Sequence, residues 1–131
     1  MKATPPTPHC PCGSGKPLAD CCATFLDGTS NAPTAEALMR SRYCAYVLRR
    51  EDYLLATWHA ATRPAELGLA HEAPAKWLGL DVRRHEQTDA DHASVEFVAR
   101  YKVNGRAHRL HEISRFVRED GRWFYVDGEV A

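Results

Sequence analysis

What the chain lacks narrows its class first. Its 17 Lys and Arg are matched by 17 Asp and Glu, so neither sign is in surplus. The broad basic field of a general nucleic-acid binder is missing. No window approaches the roughly 18 consecutive apolar residues that a membrane-spanning helix needs. Met1 to Pro8 carries one lysine, three prolines and no apolar run, so it reads as an extended tail rather than a secretory leader. Internal repeats and low-complexity segments are also missing. With 131 residues there is room for one ordinary domain and little more. The expectation is a cytoplasmic protein in a reducing compartment, without a membrane segment.

Cysteine is not scarce. Four of the five cysteines fall within the stretch Pro8 to Cys22, P-H-C-P-C-G-S-G-K-P-L-A-D-C-C. Cys10 and Cys12 are separated by one residue, and the adjacent Cys21 and Cys22 follow Cys12 after eight intervening residues. Four thiolates this close suit one tetrahedral zinc, and Gly13, Gly15 and Pro17 let the intervening loop turn back on itself. A fully thiolate-ligated zinc keeps no open position for water, so a structural ion is expected rather than a catalytic one. Its role is either a staple for a segment too short to bury a core or a docking knob for a protein partner. Disulfides are the alternative, although adjacent cysteines bridge one another poorly. His9 is a competing ligand candidate. Cys44 is expected to be a free thiol outside the zinc set.

These residues resemble the SEC-C zinc motif, found at the tail of the bacterial preprotein translocase motor and in assorted small proteins. Cys10, Cys12, Gly13, Ser14, Gly15, Lys16 and Cys21 match its core, and Cys22 stands where the motif has His or Cys. The motor's loop is lysine-rich with a tyrosine, whereas this one reads Lys16-Pro17-Leu18-Ala19-Asp20. The motor's acidic partners are therefore not expected here.

Residues 9–24 form the metal loop in this reading, and 25–33, rich in Gly, Ser, Asn and Pro, a linker. Thr34 looks like an N-cap for a helix reaching about Arg50. Its apolar arc holds Ala35, Leu38, Met39, Tyr43, Ala45 and Tyr46, with Arg42 in the middle and Cys44 opposite, packed under the linker or exposed. A second helical piece is expected over about Asp52 to His59. A third, short one is expected from Pro64 to Leu69, with Pro74 ending the helical part. The period then changes to two. Strands are expected over Trp77 to Glu86, Ala93 to Val103, Ala107 to Arg118 and Arg122 to Val130, with hairpin turns at Asn104-Gly105 and Asp120-Gly121. Helices followed by a four-strand antiparallel meander give an α+β fold, with helices on one face of a curved sheet.

That element order is similar to the nuclear transport factor two-like superfamily, whose bent sheet and helices form a cone around a pocket. Together with the zinc motif and the strings at 37–43, 57–59, 111–116 and 121–128, the chain resembles the uncharacterised bacterial YchJ-like proteins almost end to end. The resemblance implies a two-part protein, with the cone domain over 34–131.

The candidate pocket residues are Arg42, Trp58, His59, Tyr101, Glu112, Ser114 and Trp123. Leu110, Glu112, Ser114 and Phe116 share one face of their strand, and Trp123, Tyr125 and Asp127 one face of theirs. An inward Glu112 and an inward Arg42 would offset each other's burial cost and are expected to pair. Three functions remain open. The first is a zinc-binding adaptor or small-ligand-binding protein, its partner held by the zinc motif or its ligand in the cone. The second is a small isomerase, dehydratase or hydrolase, with His59 and Glu112 as weak catalytic candidates. The third is a nucleic-acid-associated protein using a face of Arg40, Arg49, Arg50, Arg83, Arg84, Arg100 and Arg115. A neutral chain disfavours the last.

Overall fold

The computed structural model describes residues 9–69 and 75–131. The expected tail over 1–8 and Pro74 lie outside them. A 3₁₀ turn at Leu18–Asp20 leads into three α-helices: α1 (Ala23–Leu26), α2 (Ala35–Val47) and α3 (Glu51–Ala56). Four strands follow: β1 (Ala75–Asp89), β2 (His92–Val103), β3 (Arg106–Glu119) and β4 (Arg122–Val130). They form one antiparallel sheet in the order β1-β2-β3-β4. The chain is therefore α+β, with its helices preceding the meander.

Helix α2 begins where Thr34 Oγ1 accepts from the Ala37 N–H at 3.0 Å, supplying one of the orphan donors of the first turn. At the other end Arg49 N–H donates to Tyr46 O and Arg50 N–H to Ala45 O. This is the Schellman pattern. It places Arg49 at φ 58, in the left-handed region that usually takes glycine. The second helix stops at Ala56 rather than His59, because Thr57 to His59 join the sheet. Tyr125 N–H donates to Thr57 O and His59 N–H to Tyr125 O, fixing Trp58 beside β4. Residues 64–68 are irregular, so the third helix expected there does not form. The extra short helix is α1, between the cysteines and the linker.

Both Asn104-Gly105 and Asp120-Gly121 have positive φ at each residue, as a type I′ hairpin turn requires. Three register shifts along β1 bend the edge of the sheet. A fourth, between Arg115 and Phe116, sets Tyr125 opposite Phe116 but Asp127 opposite Arg115. Tyr125 therefore stays on the inner face while Asp127 turns outward, where Arg115 Nε donates to it at 2.6 Å. Simple alternation had placed the two together.

One core lies between α2 and the inner sheet face and is built from Ala35, Leu38, Met39 and Tyr43 against Val95, Phe97, Ala99, Phe116 and Trp123. A second core joins Cys10, Cys12 and Cys22 to Leu26, Cys44, Ala45 and Leu54. Helix α2 contributes to both. No helix among the described residues is long and apolar enough to cross a membrane.

Candidate functional site

The first site is the thiol cluster. Cys10, Cys12, Cys21 and Cys22 place their sulfurs within 4.8 Å of one another, an arrangement that could hold a metal ion. A tetrahedral zinc with Zn–S bonds of about 2.3 Å would set its sulfurs about 3.8 Å apart. The Cys12–Cys21 and Cys21–Cys22 separations are 3.7 and 3.9 Å, so the donor set and its spacing fit such an ion. All five cysteines are free thiols. His9 is exposed and directs Nδ1 to Gly15 O at 3.1 Å, and it is not part of the cluster.

Local geometry explains the convergence. Cys10 N–H donates to Lys16 O at 2.8 Å, closing the first turn. Gly13, at φ 83, lies where an added Cβ would come within 3.4 Å of Leu80 O on β1. Arg40 of α2 donates to Cys12 O at 2.7 Å and to Glu36 at 3.0 Å, tying the loop to the helix.

The fifth thiol departs from expectation. Cys44 is fully buried and its sulfur lies 3.4 Å from that of Cys10. The side of α2 opposite the sheet core is the side on which the metal loop packs. Within the cluster Cys12 is held well below the usual thiol range by the neighbouring thiols, Cys22 first and then Cys44. Cys22 and Cys44 are pushed up, first by the same neighbourhood of Cys12.

The second site is a cavity of about 370 Å³ between α2, Trp58 and the inner sheet face. Tyr43, Tyr46, Trp58, Trp77, Phe97, Tyr101, Phe116 and Tyr125 give it an aromatic wall, and Arg42, Arg49, Glu112 and Ser114 supply polar groups. Of the candidates read from the sequence, Arg42, Trp58, Tyr101, Glu112 and Ser114 meet here. His59 and Trp123 do not.

Arg42 is only 6% exposed. Its Nη1 donates to Leu54 O at 2.8 Å and to Thr57 Oγ1 at 2.7 Å. Its guanidinium carbon lies 4.5 Å from the Tyr125 ring centroid and 5.1 Å from that of Trp58, a cation–π arrangement. Burial depresses the guanidinium's pKa, and Tyr46, Tyr125, Tyr53 and Glu112 offset that in part.

The expected Arg42–Glu112 ion pair is not formed. No nitrogen of Arg42 comes within 4.0 Å of a Glu112 oxygen, and Glu112 instead accepts from Ser114 Oγ at 2.5 Å. The reason is positional. Arg42 is drawn toward the end of α3 by two acceptors and two π faces, and Glu112 stands on β3 across the cavity. Among the described residues Nε and Nη2 of Arg42 have no acceptor.

His59 lies outside this cavity. Its Nδ1 accepts the Ala61 N–H at 3.1 Å, which leaves the proton on Nε2, and Nε2 donates to Glu119 at 2.7 Å. Both ring nitrogens are committed. Trp123 is buried in the sheet core with its indole N–H unpartnered, below the Arg118 guanidinium at 5.6 Å. It faces a second depression, toward Arg50 and Asp52.

A four-cysteine loop of SEC-C type, packed on a helix and meander that enclose an aromatic cavity, defines the class: a SEC-C motif protein with a nuclear transport factor two-like domain. Family profiles agree, with YchJ, middle NTF2-like domain, matching residues 34–128 and the SEC-C motif matching residues 10–24. The chain belongs to the YchJ family of UPF0225 proteins. A UPF0225 protein of Polaromonas naphthalenivorans is 60% identical, with 94% of this chain and 98% of the relative covered. Another, from Ralstonia nicotianae, is 55% identical over 100% of this chain and 97% of the relative. The solution structure of a SEC-C motif containing protein from Rhodopseudomonas palustris superposes with a TM-score of 0.85 at 36% identity, over 93% of this chain and 98% of that one. A crystal structure of a SEC-C motif containing protein from Psychrobacter arcticus gives a TM-score of 0.74 at 32% identity, over 93% and 82%.

Proposed function

We propose that this is a non-catalytic, cytoplasmic small-ligand-binding protein whose cone is held in shape by a structural zinc on Cys10, Cys12, Cys21 and Cys22. The observation that carries the reading is Arg42, a buried cation in an aromatic cavity that has, among the described residues, no counter-ion and no acceptor for Nε and Nη2. A buried charge is costly to keep without a partner. A ligand carboxylate meets both free nitrogens of a guanidinium in a bidentate contact. The aromatic wall suits a flat apolar body, and Glu112 on the facing strand accepts a donor from the ligand and disfavours a second anionic group. The ligand class is an aryl or similarly flat carboxylic acid that also carries an amine or hydroxyl.

Two observations favour binding over catalysis. His59 has no free lone pair and lies outside the cavity, and the thiol cluster offers four sulfurs with no position for water. The nucleic-acid reading is weakened because Arg40, Arg50, Arg83, Arg84 and Arg115 each pair with a carboxylate. Trp58 and Trp77 line the cavity, so intrinsic fluorescence reports its occupancy. Titration with an aromatic amino acid, an arylpropionate and an arylethylamine tests the proposal. Saturable quenching by the carboxylates, lost in Arg42→Met and weaker for the amine, is expected. Quenching equal for acid and amine, or untouched by Arg42→Met, would refute it.

A further inference from the structure

The thiol cluster has one more sulfur than a tetrahedral ion needs. Cys10, Cys12 and Cys22 are buried, and two thiols flank them on different sides. Cys21, half-buried, stands toward solvent with its sulfur 3.2 Å from Ser14 Oγ. Cys44, at 0% exposure on α2, stands toward the core, with its sulfur 3.4 Å from that of Cys10 and in one packed core with Cys12 and Cys22.

We propose that Cys44 is an alternative fourth ligand, so that the centre holds its ion through Cys10, Cys12, Cys22 and either Cys21 or Cys44. A buried cysteine can serve as a small apolar filler. That role does not call for a sulfur 3.4 Å from that of Cys10, in the core that also holds Cys12 and Cys22. Zinc, being d¹⁰, imposes no directional preference beyond what its ligands supply, so trading one thiolate for another costs little. The exchange conserves charge. Cys44 gives up its S–H proton as it binds, and the Cys21 sulfur takes one up as it leaves, beside Ser14 and water. The moving parts are also suitable: Cys44 is fixed on a 13-residue helix, whereas Cys21 sits between a 3₁₀ turn and a four-residue helix. The ion thus keeps four sulfurs when its one accessible ligand is oxidised or alkylated.

This inference rests on the metal reading above, and zinc itself is the probe that separates the two. Full-length wild type, Cys21→Ser and the double variant Cys21→Ser/Cys44→Ser are loaded with zinc and compared by X-ray absorption and by competition with a chromophoric chelator. A wild type that binds no zinc overturns both readings. If the proposal holds, Cys21→Ser keeps one zinc with four sulfur neighbours and an affinity within about tenfold of wild type. The double variant then shows three sulfurs with one oxygen or nitrogen, and binds more weakly by a further factor of about 10–100. Three sulfurs in Cys21→Ser, with an affinity equal to that of the double variant, overturn this inference and leave the metal reading intact. Should Cys21→Ser not fold, alkylating Cys21 in the zinc-loaded wild type makes the same vacancy. Four sulfurs retained there support the exchange and three exclude it.

Discussion

Replacing Arg42 with methionine separates a cation kept for the fold from one kept for a ligand. The side chain makes two hydrogen bonds through Nη1 and faces two aromatic rings. Hydrogen bonds from a charged group contribute about 1.5–3 kcal/mol each, and cation–π contacts about 0.5–2 kcal/mol each. Against a gain of roughly 4–10 kcal/mol stands a desolvation cost of several kcal/mol for one buried ion. Methionine restores much of the apolar volume, and since Glu112 is not paired with Arg42, no carboxylate loses a partner. The expected net change is a loss of less than about 2 kcal/mol, or no more than roughly 8 °C in Tm. Urea unfolding monitored by far-UV circular dichroism measures it, alongside the fluorescence titration on the same sample. A loss above about 4 kcal/mol would show that Arg42 is a structural strut and refute the reasoning that its burial is tolerated for binding.

Burial pushes the phenols of Tyr43 and Tyr125 up to about 12 from an ordinary 10.0. Because the folded values are the higher ones, both tyrosines stabilise the fold below pH 10, and that contribution is lost as pH rises from 10 toward 12; unfolding midpoints across this window should fall, and a flat profile would contradict the burial argument. Gly128 lies where an added Cβ would collide with the Glu112 carboxylate, so Gly128→Ala should displace Glu112 and weaken binding of an amino-bearing ligand several-fold, at a stability cost of about 1–2 kcal/mol. An unchanged affinity would separate Glu112 from the ligand. Stripping the ion with a strong chelator should lower Tm in a zinc-reversible way, by about 4 kcal/mol of stability where free zinc is 1,000 times Kd; calorimetry with and without chelator checks it, and identical traces would remove the staple role.

The sequence made the skeleton legible where local chemistry and periodicity agreed. Thr34 as a cap, two Xaa-Gly hairpin turns and the alternation of Val95, Phe97, Ala99 and Tyr101 led to α2 and the meander with little error. The misses have physical causes. Arg49 adopts the left-handed conformation usually given to glycine, so the Schellman end of α2 had no signature residue. The bulge after Arg115 shifts register by one residue and turns Asp127 outward, which strict alternation does not anticipate. Thr57, the acceptor that draws Arg42 away from Glu112, lay in a segment read as helix; its pairing with Tyr125 is a long-range contact with no local mark. Cys44 was assigned to the right side of its helix, but what covers that side is set by the path of a loop more than twenty residues earlier.

That path bears on what a metal held there would do. The cysteine segment holds only a three-residue 3₁₀ turn and a four-residue helix, too little to fold alone. Its cysteines do not form a separate lobe. They share a core with Ala45 and Leu54, and Arg40 binds the loop carbonyl of Cys12 from α2. The same helix turns Met39, Arg42, Tyr43 and Tyr46 toward the cavity. An ion in the thiol cluster would therefore brace the back of the helix whose front forms one wall of the cavity. This arrangement favours a clamp on the cone over a knob that docks elsewhere, since the sulfurs a partner would have to approach are, apart from Cys21, inside the protein.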